Sequence, residues 1–167
     1  EKVKQKFWNH PILADGFNHQ PDFTIRPNIF LAYYLYPNLL EKEEWKLCFN
    51  YTLRKLWLNW GGISTINKHH PSFKETYSGE NPESYHNGDS WYFINNITAI
   101  SLHKLDKKLY KKYINKIIKS STEDILYNGF IGHASELSSA KKLSSEASLC
   151  QAWSAATYIE LVHELFS

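Results

Sequence analysis

Methionine is absent from all 167 residues, so translation is expected to begin upstream of the first residue, and the chain reads as one piece of something larger. Arginine is almost as scarce, since Arg26 and Arg54 are the only two among 19 basic residues, and the formal net charge is +2. Phosphate and base recognition favours guanidinium forks on a strongly basic face, so nucleic acid is excluded as a partner. Cysteine occurs twice, at Cys48 and Cys150, far apart and without metal or redox spacing. No disulfide framework is expected, and the two read as reduced, buried thiols of a cytosolic protein. No stretch approaches 18 consecutive uncharged apolar residues, and the first eight residues hold no apolar core of signal-peptide length. Neither a membrane span nor a leader is expected, and the protein is placed in the cytoplasm.

What the chain has in quantity is rings. Aromatic residues make up 16% and hydrophobic residues 43%, against 22% charged, which describes a globular rather than a disordered sequence. The length suits one domain over residues 1–167, able to bury about 68–70% of its unfolded surface. Hydrophobic periodicity predicts five helices and almost no strand. Pro27 and Asn28 open a helix over residues 29–36, which is apolar on every side and therefore expected to be packed on every side. Over residues 41–60, Trp45, Phe49, Leu53, Leu56 and Trp60 recur at helical spacing, with Gly61-Gly62 as the stop. Asp89 or Ser90 caps a helix to about residue 104, and Asp106 caps another through residue 118 and on to 127, ended by Gly129. In the last helix Ala152, Trp153, Ala156, Ile159, Val162 and Phe166 mark one face. Two long loops, residues 61–88 with Pro71, Gly79 and Pro82, and residues 130–149, are of the length that carries function.

Several chemistries lack their motifs. The lysines from Lys107 to Lys119 read as a solvated outer face, because arginines are absent and the opposite face is ordinary. Gly88-Asp89-Ser90 is not followed by the glycine of a serine-nucleophile turn, and Gly61-Gly62 precedes no phosphate-binding Lys-Ser or Lys-Thr. His69-His70 and His163-Glu164 have no metal-site spacing, so neither a metal nor a cofactor is expected. The sequons at Asn50 and Asn96 fall inside predicted helices and carry no meaning without a secretory route.

What remains is a set of polar and aromatic segments at helix mouths: Asp22-Phe-Thr-Ile-Arg-Pro-Asn28, Tyr85-His-Asn-Gly-Asp-Ser-Trp91, Gly132-His-Ala-Ser-Glu136 and Gln151-Ala-Trp-Ser154. Sugars bind through that combination, because ring faces cover C–H surfaces while charged and amide groups fix hydroxyls. In order and approximate spacing, and together with Phe7-Trp8-Asn9, these segments resemble the C-terminal part of glycogen-debranching enzymes, the amylo-α-1,6-glucosidase family. The resemblance implies an all-α fold, a partial α/α toroid amounting to half of a six-hairpin barrel, with the active site in a funnel at one end. It implies inverting release of glucose from α-1,6 branch points of glycogen-like glucans, with Glu136 as the general base that activates water. Read from its neighbours alone, Glu136 is a solvated loop carboxylate or a helix cap. The resemblance also implies that Arg26, Asn28, Tyr85, His86, Gly88, Asp89, Trp91, Gln151 and Trp153 bind substrate, with Gly88 letting backbone approach the sugar. Trp153 is open to a second reading as core, since it shares a helix face with Ala156.

Two departures from the family pattern stand out. Asp89 replaces a small hydroxyl residue and adds a carboxylate at the mouth, and Leu137-Ser138-Ser139 replaces acidic and glycine residues after the base. In the resembled family the general acid lies upstream of Arg-Pro-Asn, and the chain begins after it. Inversion needs two carboxyl groups about 6.5–9.5 Å apart, and no motif marks Asp15, Asp22 or Asp89 as the donor. Five helices also cannot close a ring. The expectation is therefore a glucan hydrolase that needs a missing N-terminal half, supplied by upstream sequence, a separately encoded partner chain or a second copy. The alternatives are a non-catalytic glucan-binding subunit and a purely structural helical protein.

Overall fold

A computed structural model describes residues 2–79 and 83–167, so Pro82 of the first long loop lies outside the described residues. Six α-helices are seen: α1 (Lys2–Phe7), α2 (Asn28–Leu35), α3 (Lys42–Leu56), α4 (Tyr92–Asp106), α5 (Lys111–Tyr127) and α6 (Ala152–Phe166). The strands are two or three residues long and pair as antiparallel ladders: β1 (Trp8–Asn9) with β2 (Ile12–Leu13), β3 (Gly16–Asn18) with β4 (Gln20–Asp22), and β5 (Ser90–Trp91) with β6 (Leu137–Ser138).

Helices α2, α4 and α6 lie side by side with α4 in the middle; α3 packs behind α2 and α4, and α5 behind α4 and α6. Alternation of inner and outer helices along an arc is the architecture of a partial α/α toroid. Short turns over residues 36–41 and 107–110 lead from inner to outer helices. The long loops, residues 57–89 and 128–151, lead back from outer to inner helices, so both arrive at the inner-helix N-termini. That placement of loop length gathers the candidate site at one end.

Local chemistry explains most boundaries. Glu41 and Glu44 form a reciprocal capping box at the start of α3. Its stripe of Trp45, Phe49, Leu53 and Leu56 is buried with Phe30 and Tyr33 of α2, and the Phe30 and Phe49 ring centroids are 4.8 Å apart. Helix α3 stops at Leu56 rather than continuing to Trp60. The chain instead reverses, with Leu58 N–H bonded to Gly62 O at 2.9 Å and Trp57 bridged to Ile63. Gly61 serves that reversal at φ 115°, where a Cβ would stand 2.6 Å from the Lys116 carbonyl oxygen. Asp106 ends α4 rather than capping α5: its Oδ1 accepts the Leu109 N–H at 3.1 Å within the turn, and α5 begins at Lys111. The lysines of this region face solvent, as expected.

Burial is distributed differently from the sequence expectation. Helix α2 buries only Ile29, Phe30 and Tyr33, while Leu35 is 70% exposed. The helix packed on all sides is α4, with residues 94–102 buried without interruption despite four polar side chains among them. Neighbours satisfy these. Asn96 accepts the Ser121 hydroxyl of α5 at 2.7 Å and donates to Ser154 O and Thr157 Oγ1 of α6, both at 3.3 Å; Ser101 donates to Phe30 O at 3.1 Å. The buried amide of Asn96 thus sits in both an expected helix and a built network.

Helix α6 is turned opposite to its apolar face. Ser154 and Leu161 are buried, whereas Ala152, Trp153, Ala156, Ile159 and Phe166 are exposed, Ile159 by 69% and Phe166 by 76%. Its Ser154 and Thr157 face inward to Asn96 and its Tyr158 to Thr122, while Leu161 and Leu165 pack on Ala99, Ile100, Ile117 and Ile118. Cys48 is buried, with its thiol pushed up to about 12 by burial, but Cys150 is exposed rather than buried; both are free.

Candidate active site

The two long loops meet in the β5–β6 ladder, where Trp91 pairs with Leu137 and Tyr92 N–H donates to Glu136 O at 3.1 Å. Glu136 is thereby fixed at the root of α4. Its side chain is 7% exposed; Oε1 accepts the Tyr85 hydroxyl at 2.5 Å and Oε2 accepts the Ser148 N–H at 3.2 Å. The Glu136 N–H in turn donates to Ser148 O at 2.7 Å. Ala147, at φ 59°, turns the chain so that Ser148 presents both backbone groups to Glu136, a left-handed conformation that costs about 1–2 kcal/mol for an L residue.

Asp124 of α5 anchors this loop from beneath. It is 1% exposed, its Oδ2 accepts the Ser135 N–H at 2.8 Å, and its Oδ1 accepts the Ser145 hydroxyl at 2.5 Å. Sequence reasoning missed it, although Ile117, Ser120, Ser121 and Asp124 fall on one helical face and so mark a carboxylate turned inward. Tyr92 adds a bond to Ser144 O at 2.8 Å, and burial, with the nearby Asp124 charge, holds its phenol well above the ordinary tyrosine range.

Trp91, paired with the residue after Glu136, belongs to an aromatic wall; Glu136 itself is not among the residues that line the cavity there. Trp153 stacks on Phe93 at 4.6 Å and meets Trp91 edge-on at 5.8 Å, while His86 lies parallel to Trp91 at 5.5 Å. Trp153 is 46% exposed, which removes the core reading. These rings, with Pro27, Asn28, Thr65 and Ile94, line an open cavity of about 240 Å³, enough for a six-membered ring with its substituents.

The other expected binding residues divide. Asn28 lines the cavity and donates through Nδ2 to Asp15 Oδ1 at 2.8 Å. Burial raises the Asp15 carboxyl above its ordinary range, opposed by Asn28 and Arg26. Arg26 spends its guanidinium on the first loop, donating to His86 O at 2.7 Å, Thr65 O at 3.1 Å and Asn87 Oδ1 at 3.4 Å. It shapes the wall from behind. Gln151 sits at the N-terminus of α6, its N–H bonded to Ala134 O at 2.8 Å, and is not among the cavity lining.

Gly88 and Asp89 face inward. Gly88 is buried, and a Cβ there would lie 1.7 Å from the Lys74 carbonyl oxygen, so the glycine admits a neighbouring strand of loop rather than a sugar. Asp89 has no exposed surface and does not stand at the mouth. Its Oδ2 accepts the Ser84 hydroxyl at 2.8 Å and its Oδ1 has no partner. Burial pushes its carboxyl up to about 6, the Ser84 bond opposing and Glu146 adding to the rise. The folded chain therefore binds this proton more tightly than the unfolded one. The contribution of Asp89 to stability is greatest below pH 4, falls as pH rises from 4 to 6, and stays lower above that, by about 3 kcal/mol. Asp89→Asn should remove that fall: its melting temperature, relative to the parent chain, rises between pH 4 and pH 7, and an unchanged difference across that range would refute the account.

Among the described residues, no three His, Cys, Asp or Glu side chains gather as metal ligands, and no helix is long and apolar enough to cross a membrane. The family described as amylo-alpha-1,6-glucosidase matches residues 1–160. No curated protein is matched. Among solved structures, neutral trehalase from Saccharomyces cerevisiae shares the fold with a TM-score of 0.65 at 14% identity, over 99% of this chain and 29% of that one. The chain thus spans less than a third of the trehalase.

Proposed function

Because the chain belongs to the amylo-alpha-1,6-glucosidase family, by a match that includes every site residue above, we propose that it supplies the water-activating side of an inverting glycoside hydrolase releasing glucose from α-1,6 branch points of glycogen-like glucans. The observation that carries this reading is Glu136, a carboxylate gripped by Tyr85 and Ser148, with Tyr85 packed on Trp91 of the ring-lined cavity. Water held by Glu136 attacks the anomeric carbon and gives its proton to the carboxylate, Oε2 being the less tightly held oxygen. The sugar lies against Trp153, whose half-exposed ring covers its C–H surface and is backed by Trp91 and Phe93, with Asn28 and His86 within reach of hydroxyls.

The leaving oxygen needs a proton donor. Hydrogen bonds from Thr24 hold the Asp22 carboxyl low and ionised, Asp89 is buried, and Asp15 is engaged by Asn28. We therefore assign the donor to the N-terminal half of the toroid, whether it lies on upstream sequence, a partner chain or a second copy, with this chain as the C-terminal half. Two facts support that assignment: the outward apolar face of α6, and a span of 29% of the trehalase. The free thiols of Cys48 and Cys150 suit the reducing cytoplasm.

α-Glucosyl fluoride tests the proposal with this chain alone, because fluoride departs without a proton. Turnover giving β-glucose first, seen by NMR, is the expected result. Glucan binding with no turnover would instead establish a non-catalytic glucan-binding subunit, a reading favoured by the loss of acidic and glycine residues at Leu137, Ser138 and Ser139. Trp153→Ala should weaken binding of an α-glucoside about tenfold, roughly 1.4 kcal/mol, by calorimetry. Its melting temperature should hardly move, since the ring is half-exposed.

A further inference from the structure

We propose that Tyr85 is a positioning residue for Glu136: its phenol locks the carboxylate in the orientation from which it takes a proton from water, and it does not itself touch the sugar. The inference rests on the reading of Glu136 as general base. The Tyr85 hydroxyl donates to Glu136 Oε1 at 2.5 Å, within the range of charge-assisted O–H···O⁻ bonds, which are roughly twice as strong as neutral ones. Oε2 receives only a longer bond from the Ser148 N–H at 3.2 Å. The two oxygens are therefore unequal, and the one left for water is fixed by which of them the phenol holds.

Tyr85 is in turn held by Trp91 at both its main chain and its ring. The Trp91 indole N–H donates to Tyr85 O at 2.9 Å, and the two rings meet edge to face at 4.7 Å. Trp91 is the residue before α4 and pairs with Leu137, the residue after Glu136. One short ladder thus sets both the carboxylate and the ring that carries its hydrogen-bond donor. His86, Trp91 and Trp153 line the open cavity, whereas Tyr85 and the Glu136 it holds both stand outside that lining. Sequence resemblance groups Tyr85 with the sugar contacts; the geometry assigns it to the carboxylate behind them.

α-Glucosyl fluoride isolates the step. The C1–F bond breaks with its electron pair leaving on fluoride, a water oxygen bonds to C1, and that water's proton passes to Glu136 while Tyr85 keeps its own. Tyr85→Phe retains the ring against Trp91 and loses the donor. It should lower kcat at least tenfold with KM within twofold, and cause no further loss in a Glu136→Gln background. Glutamate labelled with carbon-13 at Cδ provides a readout independent of turnover: the Glu136 resonance, identified by its disappearance in Glu136→Gln, shifts in Tyr85→Phe. A raised KM at unchanged kcat, or an unmoved Glu136 resonance, overturns this proposal and leaves the hydrolase reading standing. Full turnover in Glu136→Gln overturns both. A chain that binds glucan yet turns over no fluoride has no working base, and this proposal falls with that reading.

Discussion

Glu136→Gln should lower the turnover of α-glucosyl fluoride by about 10²–10⁴-fold, the usual contribution of a positioned general base. Glutamine has nearly the same shape; with its carbonyl oxygen in the Oε2 position it still accepts the Ser148 N–H, while its NH2 donates to the Tyr85 hydroxyl oxygen and so reverses that bond. The loop should keep its place, and the melting temperature should change little. What disappears is the capacity to take a proton. Because fluoride needs no acid to leave, the loss reports on water activation by itself. Equal turnover in the two proteins would sink the assignment of Glu136.

The second large effect is on the fold. Gly88→Ala would place a Cβ 1.7 Å from the Lys74 carbonyl oxygen, an atom of the main chain that a rotamer change cannot move. Lys74 N–H is itself bonded to Asn87 O at 2.7 Å and Gly88 N–H to Thr65 Oγ1 at 2.8 Å, so both sides of the contact are pinned. Relief requires the segment carrying Tyr85, His86 and Trp91 to shift as a body. The expected cost is about 3 kcal/mol or more in denaturant unfolding, with the cavity lost along with it. A Gly88→Ala chain of parent stability would show that the turn is looser than described.

Helix content was legible because it is written in local periodicity: the stripe of Trp45, Phe49, Leu53 and Leu56 announces α3 without reference to any neighbour. The facing of those helices was not. Residues 29–36 are the more apolar segment, yet α4 is the helix enclosed on all sides, since Asn96 and Ser101 find partners on α5, α6 and α2 that lie far away in sequence. The same long-range partnership turned α6 over. Of the residues that short motifs single out, Trp91 and Trp153 line the cavity, while the place of Glu136 is set by the pairing of Trp91 with Leu137, which no motif announces. Gly88 and Asp89 sit in one of those motifs but point inward, because the Lys74 carbonyl and the Ser84 hydroxyl that receive them come from elsewhere in the loop. Asp124 belonged to no motif, and only its register on α5 gave it away.

The enclosure of α4 also dictates an order of assembly. A helix carrying Asn96 cannot enter a dry interior ahead of the groups that bond it, and those belong to positions 121, 154 and 157, the last of them 61 residues downstream. Early collapse around the Phe30, Trp45 and Phe49 cluster must therefore leave the middle helix wet on one flank until the final segment docks. Contacts of such sequence separation slow folding and make it cooperative, so the last helix closes the structure as well as bordering the cavity.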